Sequence, residues 1–188
     1  MSGAVAADDG ISGVSSDTER TQELYQSLSR VSILERKTFY ESLPAASKAG
    51  LWRVHLQVFA REHPELTNEQ RAVLESAEKL LELAFSDNDR SNSGTADLDD
   101  KLDDLKRRAR AVFPSAMAIQ AFTRLGADAI VTLEAAAYAT PTECECSVRD
   151  DWCGWGSACR YPHPTACTTV RGCGWYWLEI CDGMCQDK

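Results

Sequence analysis

Residues 144–185 read CECSVRDDWCGWGSACRYPHPTACTTVRGCGWYWLEICDGMC, and this stretch decides the fold of the C-terminal part of the chain. A segment this short buries too little apolar surface to fold without cross-links, and cysteine at this density is typical of disulfide scaffolds. The even count predicts four disulfides, although 105 pairings are compatible with it. All eight cysteines of the protein lie in this stretch: Cys144, Cys146, Cys153, Cys159, Cys167, Cys173, Cys181 and Cys185.

Zinc is the main alternative to disulfides, because thiolates are good zinc ligands. The tail has no C-x2-C pair, however, and its one histidine, His163, lies between two prolines. We therefore favour disulfides and predict neither a metal nor another cofactor. A cytosolic zinc-binding regulatory protein stays the alternative if the cysteines are reduced.

The chain before this stretch contains no cysteine and has the pattern of a helical region. Residues 1–16 are small and polar, which predicts disorder. Helical periodicity then runs over residues 17–139, and the sequence TPT at 140–142 indicates a boundary. Residues 140–188 form the predicted cysteine-rich module. The predicted fold class is a mainly α N-terminal domain followed by a small, disulfide-rich, irregular or β module.

Capping boxes and apolar stripes support the helical prediction. Ser32 with Glu35, and Thr67 with Gln70, have the spacing of capping boxes, which mark helix starts. Apolar residues then recur at helical spacing, which predicts buried faces. The predicted buried positions are Leu34, Phe39, Tyr40 and Leu43; Leu51, Trp52, His55, Leu56 and Phe59; and Val73, Leu74, Ala77, Leu80, Leu81, Ala84 and Phe85.

Charge and composition exclude several classes of partner. The net charge of −9 argues against nucleic acid, whose phosphates need clustered lysine and arginine. No run of 18 apolar residues occurs, so no transmembrane segment is predicted. The N-terminal residues lack the basic and apolar regions of a signal peptide. We therefore expect either secretion by a non-standard route, with a dedicated exporter, or a cytoplasmic location.

No catalytic site is predicted. The sequence has no nucleophile elbow, P-loop, dinucleotide-binding glycine motif or zinc-protease motif. His55 lies within an apolar stripe, which favours a core histidine over a catalytic base. The expected protein is not an enzyme.

Five aromatic residues of the tail are candidates for contact with a membrane or a protein partner. Tryptophan and tyrosine settle at bilayer interfaces and anchor protein interfaces, but they also fill the small cores of disulfide modules. Consecutive aromatic residues on an extended strand point to alternate faces, so we expect at least one to be exposed. The candidates are Trp152, Trp155, Trp175, Tyr176 and Trp177.

The cysteine frame resembles that of the fulvocin C-related bacteriocins. The resemblance rests on Cys144-Glu145-Cys146-Ser147, Asp151-Trp152-Cys153, Gly172-Cys173-Gly174-Trp175, and the closing Cys181 and Cys185; further upstream it includes Phe39-Tyr40, Leu43, the run KAGLWRVHL at 48–56, and Leu66-Thr67 with Gln70.

This resemblance implies an antibacterial precursor. The helical region would act as a leader, and the stapled module would act on a bacterial envelope or a protein receptor. The alternative that the residues leave open is a non-enzymatic binding module, in which both parts form one surface for a protein partner.

Overall fold

The structure is a computed structural model that describes residues 12–86, 94–126, 143–144, 146–149, 153, 157–161 and 167–187. The predicted positions Trp152 and Trp155 lie outside these residues, and so do 1–11 and 127–142.

Six helices lie in the described part of the N-terminal region. Their bounds are α1 Ser12–Leu28, α2 Ile33–Glu41, α3 Ala45–Glu62, α4 Asn68–Ala84, α5 Gly94–Val112 and α6 Ser115–Phe122. Together with the cysteine-rich end described below, they confirm the predicted fold class. None of the described helices combines the length and the apolar character needed to cross a membrane.

Both capping boxes are confirmed. The Ser32 hydroxyl accepts a hydrogen bond from the Glu35 amide, and the Glu35 carboxylate accepts one from the Ser32 amide. Thr67 and Gln70 make the same reciprocal pair at the start of α4. These contacts satisfy backbone donors that a helix start leaves without an intrahelical partner.

The predicted stripes form the core of the helical region. Helix α3 packs between α1 and α4, α4 packs against α5, and α6 contacts both α3 and α5. Leu51, Trp52 and Leu56 of α3 are fully buried, and so is Leu81 of α4. Each such side chain contributes about 1.5–3 kcal/mol through burial, so the amphipathic pattern explains why the helices assemble.

Two local predictions need correction. Helix α1 begins at Ser12, so it takes in residues 12–16 of the segment predicted to be disordered. Phe39 was predicted to be buried but is 43% exposed, because it lies on the outer side of the short helix α2.

The cysteine-rich end contains two small antiparallel pairs. Strand β1 (Ser157–Arg160) pairs with β4 (Met184–Asp187), and β2 (Val170–Cys173) pairs with β3 (Glu179–Cys181). The register places Cys159 opposite Cys185. Two-stranded pairs are marginal by themselves, so this region depends on its disulfides and on its contacts with the helices.

Candidate functional site

Four disulfides staple the C-terminal region, which confirms the prediction of full pairing. All eight cysteines lie within the described residues, and none is free. The bonds join Cys144 to Cys167, Cys146 to Cys159, Cys153 to Cys185, and Cys173 to Cys181. The cysteines of the last pair are only eight positions apart in sequence, so this bond closes a small loop that holds three consecutive aromatic residues.

The loop folds its aromatic run into a 3₁₀ turn, Trp175–Trp177, instead of an extended strand. Tyr176 and Trp177 have left-handed backbone, with φ of 54° and 57°. Gly174 precedes them at φ 69° and ψ −166°, a conformation that is essentially restricted to glycine. The prediction of an exposed aromatic side chain assumed an extended strand, in which successive side chains point to opposite faces. A 3₁₀ turn has no such alternation.

All three aromatic side chains of this turn are buried. Trp175 is 1% exposed, Tyr176 0% and Trp177 4%. The prediction that at least one is exposed is wrong, and in the folded chain none of the three is free to contact a membrane or a partner. The cause is the left-handed backbone, which directs the whole run toward the helices. We call Trp175, Tyr176 and Trp177 the aromatic turn.

The aromatic turn completes the core of the helical region. The Trp175 ring stacks on Phe122 of α6, with centroids 4.1 Å apart and an angle of 6° between the planes. Trp52 of α3 meets Tyr176 and Trp177 edge-on, at 5.3 Å and 5.9 Å. These residues belong to one continuous core cluster with the helices. The two predicted domains thus share a hydrophobic core, and whether the tail also folds by itself stays a prediction.

Hydrogen bonds fix the aromatic turn in the same place. Trp52 Nε1 donates to the Tyr40 hydroxyl at 3.0 Å, and that hydroxyl donates to the Tyr176 carbonyl at 3.2 Å. Trp177 Nε1 donates to the Thr123 carbonyl at 2.8 Å. Buried polar groups are costly unless they are paired, so these bonds add specificity to an otherwise apolar contact.

Lys37 of α2 lies over the disulfide that closes the loop. Its Nζ is 3.9 Å from Cys173 Sγ and 3.8 Å from Cys181 Sγ, and 5.9 Å from the centroid of the Trp177 ring. Burial lowers the pKa of the Lys37 ammonium, while Glu143 acts in the opposite direction. No local pattern around Lys37 indicates this position, because its partner Cys173 is 136 positions away in the chain.

The Tyr176 hydroxyl is buried and makes no hydrogen bond within the part of the chain that the structure describes. Burial also raises its pKa well above the usual range. A buried polar group without a partner costs about 1–3 kcal/mol. We therefore expect Tyr176→Phe to leave the free energy of unfolding unchanged or to raise it, as measured by urea denaturation.

Tyr40→Phe is the matched control, because the Tyr40 hydroxyl has both a donor and an acceptor in the core. Its removal should lower the free energy of unfolding by about 1–3 kcal/mol. If Tyr176→Phe proved as destabilising as Tyr40→Phe, the Tyr176 hydroxyl would have a partner after all.

His55 connects three segments beside this core. Its Nε2 donates to the Gln120 carbonyl at 2.8 Å, so Nδ1 is the acceptor for the Tyr25 hydroxyl at 3.0 Å and the Gly126 amide at 3.3 Å. The surroundings include a cavity of about 240 Å³ with Glu62 and Arg124 in its lining. Every nitrogen of the ring is engaged, which supports the sequence interpretation of His55 as a core residue.

Acid should destabilise the protein through His55. Burial lowers its pKa to about 4, below the value of about 6.5 expected in the unfolded chain. The unfolded state therefore binds the proton more tightly, and stability present above about pH 6.5 is lost as the pH falls toward 4. The loss is about 3 kcal/mol. Histidine NMR titration would test this, and a His55 pKa near 6.5 in the folded protein would contradict it.

Comparisons with protein-family models, curated proteins and solved structures found no match to this chain. The resemblance to the fulvocin C-related bacteriocins thus stays a prediction from the cysteine frame. The functional interpretation has to rest on the four disulfides and on the aromatic turn.

Proposed function

We propose that this chain is the precursor of a bacteriocin-like, disulfide-stapled module, and that its helices keep the aromatic turn of the module covered. The observation that carries the proposal is the burial of Trp175, Tyr176 and Trp177 against α3 and α6. The proposed activity is contact with a bacterial envelope and requires no enzymatic step.

The chemistry of the aromatic turn supports this role. Indole and phenol groups partition into the interface of a bilayer, where their apolar rings and polar ends are both satisfied. In the folded chain the helices occupy that surface. Separation of residues 144–188 from the helices would expose it, while the four disulfides would keep the strands together outside the cell.

The resemblance to the fulvocin C-related bacteriocins supports the same proposal from the sequence. The motif Gly172-Cys173-Gly174-Trp175 belongs both to that resemblance and to the aromatic turn. Its two glycines have positive φ, at 96° and 69°. One motif of the resemblance is thus also the part of the chain that sets the backbone of the turn.

The experiment is an intact-mass measurement on producer cells and on their medium, with free thiols alkylated first. The precursor proposal predicts a tail-sized species in the medium that takes up no alkylating agent. It should be eight hydrogens lighter than its reduced form, two for each disulfide. A fully alkylated, full-length species confined to cells would contradict the proposal.

A second candidate is a binding module that acts without cleavage. The observation that favours it is the shared core, because residues of the helices and of the tail are buried together. Tyr161, at 70% exposure, is then a candidate anchor for a protein partner. A full-length, disulfide-bonded species in the medium would favour this candidate over the precursor.

A further inference from the structure

Two of the four disulfides lie side by side. The Sγ atoms of Cys146, Cys153 and Cys185 are all within 4.8 Å of one another, although they belong to two different bonds. Among the residues that the structure describes, which include all eight cysteines, this is the one group of metal-ligating side chains with such a spacing. Three sulfurs from separate parts of the chain thus meet at one point.

Cys159 lies beside this group as a fourth cysteine, although its sulfur is not among the three that are all within 4.8 Å of one another. It is bonded to Cys146 at 1.98 Å and lies opposite Cys185 in the pairing of β1 with β4. Residues opposite each other in an antiparallel pair have Cβ atoms about 4.5–5.5 Å apart. Gly183 is what permits this crowding, because a Cβ there would lie 2.4 Å from Cys159 Sγ.

The three clustered sulfurs, with Cys159 bonded to one of them, supply the four cysteines of a structural zinc site. A zinc–sulfur bond is about 2.3 Å long, so tetrahedral coordination sets the four sulfurs about 3.8 Å apart. We propose that the reduced chain binds one zinc ion through Cys146, Cys153, Cys159 and Cys185, at the place where the oxidised chain has two disulfides. This inference does not depend on the proposed precursor function.

The exchange between the two states balances with a thiol as reductant. Each disulfide takes up two electrons and two protons from two external thiols, which leave as one external disulfide. The four protein thiols then bind Zn²⁺ and release four protons. Two external disulfides reverse the sequence: they take up four electrons and four protons and leave as four thiols, the two protein disulfides re-form, and Zn²⁺ is released.

The other two disulfides are poorly suited to a metal. Cys173 and Cys181 are packed in an apolar cluster with Cys144 and Val170, and the Lys37 ammonium lies 3.9 Å and 3.8 Å from the Cys173 and Cys181 sulfurs. The positively charged Lys37 ammonium would repel a metal ion bound by these two sulfurs. Cys153 is half-buried, as is Cys167, so its bond is accessible to an external thiol, whereas Cys173 and Cys181 are both buried.

The test is a cobalt titration of the full-length chain after reduction with a phosphine, which itself binds metal weakly. Cobalt reports the site by the ligand-field and charge-transfer bands of tetrahedral thiolate coordination, and zinc should displace it. We expect one cobalt ion per chain. The bands should be lost in Cys153→Ser/Cys185→Ser, with an affinity loss beyond the roughly 10–100-fold that follows removal of an outer-shell partner.

The matched control is Cys144→Ser/Cys167→Ser, which also removes two cysteines but leaves the cluster intact. It should bind cobalt as the wild type does. If the reduced chain were unfolded, any of its thiols could bind the metal, and the two double variants would bind cobalt equally. Equal binding by both variants, or the absence of tetrahedral bands in the wild type, would overturn the proposal.

Discussion

Trp175→Ala is expected to unfold the helices as well as the tail, and to lower the free energy of unfolding by about 3–5 kcal/mol. The indole is 1% exposed and stacks on Phe122 of α6, so its removal leaves a cavity in the core of the helical region. Because domains are typically stable by only about 5–15 kcal/mol, the loss is severe. Urea denaturation followed by far-ultraviolet circular dichroism measures it, since that signal reports mainly on the helices.

Tyr161→Ala provides the control for Trp175→Ala. It also removes an aromatic residue of the tail, but Tyr161 is 70% exposed. Surface substitutions of this kind usually change stability by less than about 0.5 kcal/mol. A Trp175→Ala variant whose helical signal kept the wild-type midpoint would show that the tail does not contribute to the helical core.

Loss of the Cys173–Cys181 disulfide is expected to destabilise the helices more than its loop length predicts. Loop-closure entropy alone gives this bond, with a sequence separation of 8, about 2.5 kcal/mol. The bond also closes the loop that contains the aromatic turn, so its loss frees Trp175, Tyr176 and Trp177 to leave the core. The variant Cys173→Ser/Cys181→Ser should therefore lower the urea midpoint of the helical signal strongly.

Cys153→Ser/Cys185→Ser is the comparison that separates the two causes. Its bond spans a sequence separation of 32, and loop-closure entropy gives it about 4 kcal/mol. If chain entropy alone acted, Cys153→Ser/Cys185→Ser would be less stable than Cys173→Ser/Cys181→Ser. Because the Cys173–Cys181 bond closes the loop of the aromatic turn, we expect the opposite order when unfolding of the helices is measured. If the helices followed the entropic order, Cys173–Cys181 would have no special part in holding the turn.

Much of the helical region could be predicted because its signals are local. The capping boxes at Ser32 and Thr67 and the stripe of α3 depend on residues three or four positions apart, and all three are confirmed. The disulfide pairing could not be predicted, since it depends on contacts between segments as far as 32 positions apart.

The aromatic turn shows why the candidate site was only partly predictable. Alternation along a strand is the ordinary expectation for three consecutive aromatic residues, and left-handed backbone at a bulky residue is uncommon. The glycine at 174 was a visible signal for a special backbone, but the partners Phe122 and Lys37 were not. They come from α6 and α2, and only the assembled core brings them to the turn.

The most direct test of the shared core is a nuclear Overhauser measurement on the oxidised, full-length protein at neutral pH. The Phe122 and Trp175 rings are stacked with centroids 4.1 Å apart, so cross-peaks between their ring protons are expected. Cross-peaks from Trp52 to Tyr176 should accompany them, since those centroids are 5.3 Å apart. Intact disulfides without any cross-peak between the helices and the aromatic turn would contradict the shared core.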